Sequence, residues 1–265
     1  MTPFSKNEAA EPKAKAALID FLRSNGCIPR KSAVATEFNI NRYANRADVV
    51  LANDDGLHFF EIKTERDTLH RLERQIEAYS LHANFVTVAL TKKHVDVAYP
   101  LLPEHVGLLQ LPCPFFGNEV KLLRAAKPSP SYDAVAMLSL LPADAINSRL
   151  LQSSRNRRRA DLVREAAALP TEAIRAATLA FVIDRYRLTT AALLKATKNR
   201  TIRSADLVHL KKWDRSNRKP TEATGVAPPM TTAAIDAEIY QYVGKSFGPV
   251  PAEITQLLGL TQNLI

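Results

Sequence analysis

The amino-acid sequence predicts an α/β protein: a mixed sheet flanked by helices, followed by an all-α basic C-terminal region. In the first half of the 265-residue chain, amphipathic helical stretches alternate with short β-branched and aromatic runs, as in sheets covered by helices on both faces. Beyond Lys127-Pro128-Ser129-Pro130 the chain is rich in Ala, Leu and Arg and has almost no strand signal. Prolines disfavour a helix or strand through that segment, so a boundary is expected there.

Several elements follow from periodicity and turn residues. Residues 12–25 predict a helix that ends at Asn25-Gly26, and residues 85–90 and 106–111 predict buried strands. In the second half, helices are expected near residues 131–141, 143–153, 157–168, 171–186, 189–198 and 204–213.

Residues 48–63 have the pattern of a β-hairpin. An apolar, β-branched run leads into the turn cluster at 53–56, Asn-Asp-Asp-Gly, and an alternating strand follows. A two-residue loop and a four-residue loop give the same pairing, in which Asp48 lies directly opposite Glu61.

This hairpin is expected to bring three charged side chains together. Opposed residues have Cα atoms about 4.5 to 5.5 Å apart, and the strand period of two puts Lys63 on the same face as Glu61. Carboxylates about 5 Å apart repel by about 1 kcal/mol in water and about 3 kcal/mol at an effective dielectric near 20. A divalent cation such as Mg²⁺ or Mn²⁺ reverses that penalty, so Asp48 and Glu61 are interpreted as metal ligands. The alternative is a solvent-facing strand with incidental charges.

A helix is predicted directly after the hairpin. Asp67 is a candidate cap, and the apolar stripe that follows has spacings of three and four. Gln75 and Tyr79 are four residues apart on this helix. The stripe consists of Leu69, Leu72, Ile76 and Tyr79.

Asp48, twelve further residues and then Glu61-Ile62-Lys63, with Gln75-x-x-x-Tyr79 on the next helix, form a specific combination. It resembles the PD-(D/E)XK nuclease superfamily, and the Gln-x-x-x-Tyr element is similar to that of its RecB-like and phage-exonuclease-like branches. The resemblance covers roughly residues 10 to 125 and implies a restriction-endonuclease-like fold. Ala47 stands where some members have proline.

The resemblance implies a role for each motif residue. Asp48, Glu61 and the main-chain carbonyl of Ile62 are expected to hold Mg²⁺ or Mn²⁺. Lys63 is expected to orient the attacking water and stabilise charge on the phosphate. Glu37 matches an acidic residue that relatives supply before the first core strand, for a second metal or the water's proton; an ordinary surface glutamate is the alternative.

Gln75 and Tyr79 are expected to brace the site or contact the DNA backbone. For Tyr79 the alternative is a core residue whose hydroxyl is bonded at the rim.

Positive charge is concentrated in the second half of the chain. Residues 149–219 hold 18 Lys and Arg against 6 Asp and Glu, which favours a nucleic acid partner over a merely solubilising helical surface. The residues expected to contact phosphate are Arg155, Arg157, Arg158, Arg159, Lys195, Lys198, Arg200, Arg203, Lys211 and Lys212.

The predicted organisation has four parts. A nuclease domain spans residues 1–127, a basic helical domain spans 131–213, a linker or long loop spans 214–232, and a helical unit spans 233–265. The last unit resembles the opening helix and turn of a helix-turn-helix, but its pattern favours a plain helical hairpin.

Composition excludes some classes of protein. No run approaches a membrane-spanning length, and residues 1–12 lack the apolar core of a secretory signal. Cys27 and Cys113 lack metal-ligand spacing, and none of the six histidines makes a zinc signature. A cytoplasmic location with no membrane partner is expected.

The sequence therefore predicts a Mg²⁺-dependent DNA nuclease, acting in repair or in defence, whose basic helical region grips the nucleic acid backbone. A homodimer or a protein partner is compatible with this function. The alternatives are a nuclease-fold nucleic-acid-binding or regulatory module that acts with a partner, and a protein-interaction scaffold.

Overall fold

Six strands form one mixed sheet in the part of the chain that the structure describes. The computed structural model describes residues 10–40, 45–113, 119–152 and 158–211. The strand order across the sheet follows the chain from β1 to β6. The strands are Ala33–Ile40 (β1), Asn45–Asn53 (β2), Gly56–Lys63 (β3), Phe85–Thr91 (β4), Gly107–Leu111 (β5) and Lys121–Arg124 (β6). The predicted α/β class with a mixed sheet is confirmed.

Helices precede, connect and follow these strands. They are Ala10–Ser24 (α1), Leu72–His82 (α2), Lys92–Ala98 (α3), Ala134–Leu138 (α4), Ala143–Ile146 (α5), Arg159–Ala166 (α6), Thr171–Ala196 (α7) and Val208–Lys211 (α8). No helix among the described residues combines the length and apolarity that crossing a membrane requires.

The chain contacts divide into two units, Met1–Trp213 and Asp214–Ile265. The boundary predicted near residues 127–131 falls inside the first unit. The linker and the C-terminal helical unit that the sequence predicts beyond residue 213 lie outside the described residues.

The predicted hairpin is β2 and β3. Asn53 lies opposite Gly56 across a two-residue loop, and Val49 lies opposite Phe60. The paired register ends at Val49 and Phe60, one residue before Asp48 and Glu61 would meet. Turn residues and strand alternation thus predict the pairs from Val49–Phe60 to Asn53–Gly56.

Gly56 is required at the end of this turn. Its φ is +125°, and a Cβ atom at this position would lie 2.3 Å from Asn84 Oδ1. That oxygen accepts the main-chain N–H of Leu57 at 2.9 Å. The Asn84 side chain, just before β4, is thus packed against Gly56 and hydrogen-bonded to the hairpin.

The central strands β3, β4 and β5 are parallel, while the β1–β2, β2–β3 and β5–β6 pairs are antiparallel. Parallel neighbours need a crossover connection, which α2 provides between β3 and β4 and α3 provides between β4 and β5. Because α2 follows β3 directly, its residues return over the strand that carries Glu61 and Lys63.

Helix α2 begins later than its predicted cap. Asp67 Oδ2 accepts hydrogen bonds from the main-chain N–H and the hydroxyl of Thr64, both at 2.7 Å. Asp67 therefore closes the turn after β3, and Arg71 occupies the helix cap position. The prediction that Asp67 caps the helix is wrong, although Leu72, Ile76 and Tyr79 of the predicted stripe are buried.

Alternate residues of the sheet contribute to two apolar cores. On one side, which we call the α2 face, Phe59 and Val88 pack with Ile76 of α2 and with helices of the second half. On the opposite side, the α1 face, Phe60 and Ala89 pack with α1 and with the end of the described chain. Both faces of the sheet are covered, as expected for strands with near-continuous apolar sequence.

Helix α7 is one continuous helix of 26 residues, Thr171–Ala196. The prediction of separate helices at 171–186 and 189–198 is wrong because Arg187-Leu188 contains neither of the usual helix breakers, Gly and Pro. The helix covers the edge strand β1: Thr190 Oγ1 accepts the Val34 N–H at 2.8 Å. It thereby satisfies a backbone group that an edge strand would otherwise expose.

The other predicted helices of the second half occur in shorter form. A π-helical turn at Asn147–Leu151 extends α5, and a 3₁₀ turn at Ser204–Leu207 precedes α8.

Replacing Gly56 by alanine tests the contribution of the contact between the hairpin and Asn84 to stability. We expect Gly56→Ala to lower the free energy of unfolding by about 2 kcal/mol or more, because it adds backbone strain and displaces a hydrogen-bonded side chain. Urea denaturation measures this loss. Gly26→Ala is the matched control: its φ is +71° with no atom within 4 Å of the new Cβ, so it should cost only about 1 kcal/mol. Equal decreases in the free energy of unfolding for the two variants would contradict this role of the Gly56–Asn84 contact.

Candidate active site

The carboxylate of Glu61 is the buried centre of the site. The residue is 2% exposed. Its Oε1 accepts hydrogen bonds from Lys63 Nζ and Gln75 Nε2, both at 2.6 Å, and its Oε2 lies 2.6 Å from the Tyr79 hydroxyl. Lys63 also donates to Gln75 Oε1 at 2.9 Å. Burying an ionised carboxylate is costly unless it is paired and hydrogen-bonded, and these three side chains supply that compensation.

Two periodicities bring these side chains together. Strand alternation puts Glu61 and Lys63 on the same face of β3, and the helical repeat puts Gln75 and Tyr79 one turn apart on α2. Both residues of the α2 pair bond directly to the Glu61 carboxylate.

Tyr79 is fully buried. Its hydroxyl also lies 2.7 Å from the main-chain oxygen of Arg46, and its single proton is shared between this oxygen and the stronger carboxylate acceptor. Burial and the charge of Glu61 raise the pKa of Tyr79 far above its ordinary value, so the hydroxyl stays a donor. The enclosed hydroxyl is thus held between the Glu61 carboxylate and the Arg46 carbonyl.

Asp48 links the two faces of the sheet. Its Oδ2 accepts the main-chain N–H of Ile62 at 2.8 Å, and its Oδ1 lies 3.6 Å from Lys15 Nζ. Burial, followed by the charge of Glu61, raises the pKa of Asp48 to about 7, although the Ile62 N–H and Lys15 oppose the rise. Asp48 therefore carries charge that its protein partners only partly compensate.

A second acidic group adjoins Asp48 on α1 and β1. Carboxylate oxygens of Glu11, Glu37 and Asp48 all lie within 4.8 Å of one another. The Lys15 ammonium lies among them, 2.5 Å from Glu11 Oε1 and in contact with Glu37 Oε1. Arg46 Nε pairs with the other oxygen of Glu37 at 2.7 Å. Both oxygens of Glu37 are thus bonded to cationic side chains.

Lys15 is only 5% exposed. Burial alone would lower the pKa of Lys15, but the hydrogen bonds that it donates to Glu11 and Glu37 and the charge of Asp48 outweigh burial and raise the pKa above its ordinary value. The buried side chain is therefore an ammonium ion.

Glu37 adopts a left-handed backbone conformation, with φ of +56°. It lies between the paired residues Thr36 and Phe38 of β1, opposite Asp48 in the β1–β2 register. A non-glycine residue in this region stores backbone strain of about 1 to 3 kcal/mol and persists only where its surroundings hold it. Here Lys15 and Arg46 hold the carboxylate toward Asp48, which favours a functional residue over an ordinary surface glutamate.

The structure thus assembles the six predicted catalytic residues into two adjoining groups. Glu61 and Lys63 meet with Gln75 and Tyr79 on the α2 face. Asp48, predicted to converge with Glu61 and Lys63, instead has its closest partners in the Ile62 N–H and the α1 face. The hairpin register alone does not determine where the Asp48 carboxylate points. The carboxylate approaches Lys15 of α1, which lies 33 residues earlier in the chain.

Glu11 and Lys15 are site residues that the sequence prediction missed. The available signal was a lysine in an apolar helical stripe: Lys15 is three, four and seven residues before Leu18, Ile19 and Leu22, all buried. A charged residue on the core face of a helix needs a partner of opposite charge, and Glu11 is one turn away from Lys15.

The basic residues predicted to bind phosphate divide into two types. Arg158, Lys195, Lys198 and Arg203 are exposed. Arg159 donates to the main-chain oxygen of Leu138 at 2.9 Å and also contacts that of Leu141, while Arg200 makes two 2.7 Å bonds to Asp206. Arg159 and Arg200 therefore bond to groups within the fold, and Arg200 is exposed as well. Arg155, Arg157 and Lys212, and the side chain of Lys211, lie outside the described residues.

Fold and site together define a helix-flanked mixed α/β domain with carboxylate and ammonium groups at its centre. The family described as bacteriophage P4 protein cII matches residues 5–211, and the chain belongs to that family. Protein cII of Enterobacteria phage P4 is 24% identical over 212 residues, which cover 78% of this chain and 80% of the relative. A solved structure of a protein of unknown function from Silicibacter pomeroyi matches with 16% identity and a TM-score of 0.37, over 57% of this chain and 97% of that one.

The raised pKa of Asp48 makes stability depend on pH. The folded protein holds this proton up to about pH 7, whereas the unfolded chain releases it near pH 4. Stability should therefore fall as pH rises from about 4 to about 7. We expect Asp48→Asn, which keeps an acceptor for Ile62, to be about 1–3 kcal/mol more stable than the parent at pH 8 and about equal at pH 4. Urea denaturation in EDTA measures this; a difference independent of pH would contradict it.

Proposed function

We propose that this protein is a divalent-metal-dependent DNA nuclease with a restriction-endonuclease-like fold, of the PD-(D/E)XK superfamily. The observation that supports the proposal best is the buried set of Glu61, Lys63 and Gln75, with Asp48 bonded to the main-chain N–H of Ile62, the residue between Glu61 and Lys63. The alternative of incidental charges on a solvent-facing strand does not account for a glutamate and a lysine that are both nearly excluded from solvent.

The charges of the site fit one divalent ion. Four carboxylates face three cationic side chains, so the formal charge is −1 before any metal binds. Hard oxygen donors are what Mg²⁺ and Mn²⁺ require. Burial raises the pKa of Asp48, and the neighbouring charge of Glu61 adds to the rise. The carboxylates are Glu11, Glu37, Asp48 and Glu61; the cations are Lys15, Arg46 and Lys63.

In this proposal Asp48 and Glu61 hold the ion, with the main-chain carbonyl of Ile62, and Glu37 adds a nearby carboxylate. When present, the ion supplies Lewis-acid polarisation of the phosphate and acidifies the attacking water. Lys63 has three N–H groups, of which its bonds to Glu61 and Gln75 use two. The third is available to orient a water or to stabilise charge that develops on a phosphate oxygen.

Gln75 and Tyr79 act as positioning residues. Each bonds one oxygen of Glu61, which fixes the plane of the carboxylate before substrate arrives. Such preorganised groups cost no rearrangement during reaction, which is why they contribute to rate.

Helix α1 connects the site with exposed basic residues of the helical half. Glu11 and Lys15 lie near its beginning, while Arg23 near its end donates to the main-chain oxygens of Thr197 and Arg200 at 2.8 and 3.0 Å. Eight residues of helix separate Lys15 from Arg23, about 12 Å. The exposed Lys195, Lys198 and Arg203 are thus within reach of a nucleic acid strand bound at the site, whose phosphates they are expected to contact.

Cleavage assays with single substitutions test this function. We expect the purified full-length protein to hydrolyse labelled DNA with Mg²⁺ or Mn²⁺, and Asp48→Ala and Lys63→Met each to lower the rate by about 100-fold or more. Lys92→Met is the matched control, since Lys92 is an exposed residue at the start of α3. Linear, circular, single-stranded and branched DNA should be compared in parallel.

Undiminished cleavage by Lys63→Met protein would refute the proposal. Tight, salt-dependent DNA binding without cleavage of any substrate would favour the alternative, a nucleic-acid-binding or regulatory module that acts with a partner. Weak binding that salt does not change would favour an interaction scaffold.

A further inference from the structure

The position of Lys15 has a consequence for how many metal ions the site can hold. Its ammonium lies among the oxygens of Glu11, Glu37 and Asp48. Three carboxylate oxygens within 4.8 Å of one another are close enough to surround one small cation, and here the cation is part of the chain.

Lys15 is held at this position by the packing of α1. The residue is 5% exposed, and its neighbours Ala14 and Ala16 are also buried on α1. Its ammonium makes three ionic contacts, with Glu11, Glu37 and Asp48. Removing these contacts would leave a buried positive charge without a partner, which is strongly destabilising. Arg46, the other cation in contact with Glu37, has a side chain that is 59% exposed.

The formal charge of the site favours the binding of one divalent metal ion over the binding of two. With a formal charge of −1 before metal binds, a single divalent ion brings the site to +1, which complements one phosphodiester. A second divalent ion beside the ammonium would bring it to +3 and would lie within a few ångströms of a buried positive charge, at considerable electrostatic cost.

We infer that Lys15 occupies the place of a second metal ion, so that the centre binds one divalent ion and uses an ammonium as its second cation. This inference rests on the proposed nuclease function. Lys15 is a positioning residue in this account: it holds Glu37 and Asp48 toward each other, and it makes the Glu11 and Glu37 carboxylates unavailable to an ion from solution.

The number of Mn²⁺ ions bound by the full-length protein tests this inference without relying on activity. We expect one bound ion for the parent protein, by titration with electron paramagnetic resonance of free Mn²⁺, and two for Lys15→Met, in which the neutral side chain leaves three carboxylates facing each other. Lys15→Met with Glu37→Gln should return to one ion because the second set of ligands is incomplete. Lys31→Met, at an exposed lysine before β1, should match the parent.

The outcomes distinguish this inference from the function on which it rests. Two ions in the parent, or a single ion in a Lys15→Met protein that is folded by circular dichroism, would overturn the role of Lys15 while leaving a metal-dependent nuclease intact. No bound ion in the parent would overturn the nuclease proposal itself. Should Lys15→Met fail to fold, Lys15→Gln provides the second variant, for which two bound ions are again expected.

Discussion

The buried charge of Glu61 is the constraint on which the rest of this site depends. A carboxylate at 2% exposure is tolerable only because Lys63, Gln75 and Tyr79 bond both of its oxygens. Those partners come from the same strand and the following helix, so both the register of β3 and the rotation of α2 must be right. A slip of one residue in the strand would turn Glu61 to the opposite face and leave it without these donors.

Asp48 connects the hydrogen-bonded Glu61 carboxylate with the charged groups around Lys15 on the α1 face. Its carboxylate accepts the Ile62 N–H on one oxygen and approaches Lys15 with the other, so β1, β2, β3 and α1 all contribute to a single electrostatic unit. The left-handed backbone of Glu37 and a lysine buried in a helix are costs that a purely structural strand pair does not need. Both are understandable if the unit exists to hold a cation against a phosphate.

Turn residues and residue spacing predict much of the β2–β3–α2 part of the site. The remaining site residues are brought together by contacts between elements that are distant in the sequence. The Asn53-Gly56 turn and the alternation around it specify the β2–β3 register, and the four-residue spacing of Gln75 and Tyr79 specifies a shared helical face. Strand β1 was not predicted, because Glu37 and Asn39 interrupt its apolar run. Glu11 and Lys15 could not be assigned to the site from spacing, since packing of α1 against the sheet brings them there. The same limit applies to Arg159 and Arg200, whose positive charges resemble phosphate ligands in sequence but bond within the fold.

We propose that Asp48 and Glu61 hold one divalent ion beside a lysine that replaces a second. Anomalous scattering from Mn²⁺ in crystals of the full-length protein tests this proposal most directly, because the method locates each ion among its ligands. We expect a single peak bonded by oxygens of Asp48 and Glu61, with Lys15 still among Glu11 and Glu37. A peak within the Glu11 and Glu37 carboxylates with Lys15 displaced, or no peak at saturating Mn²⁺, would contradict it.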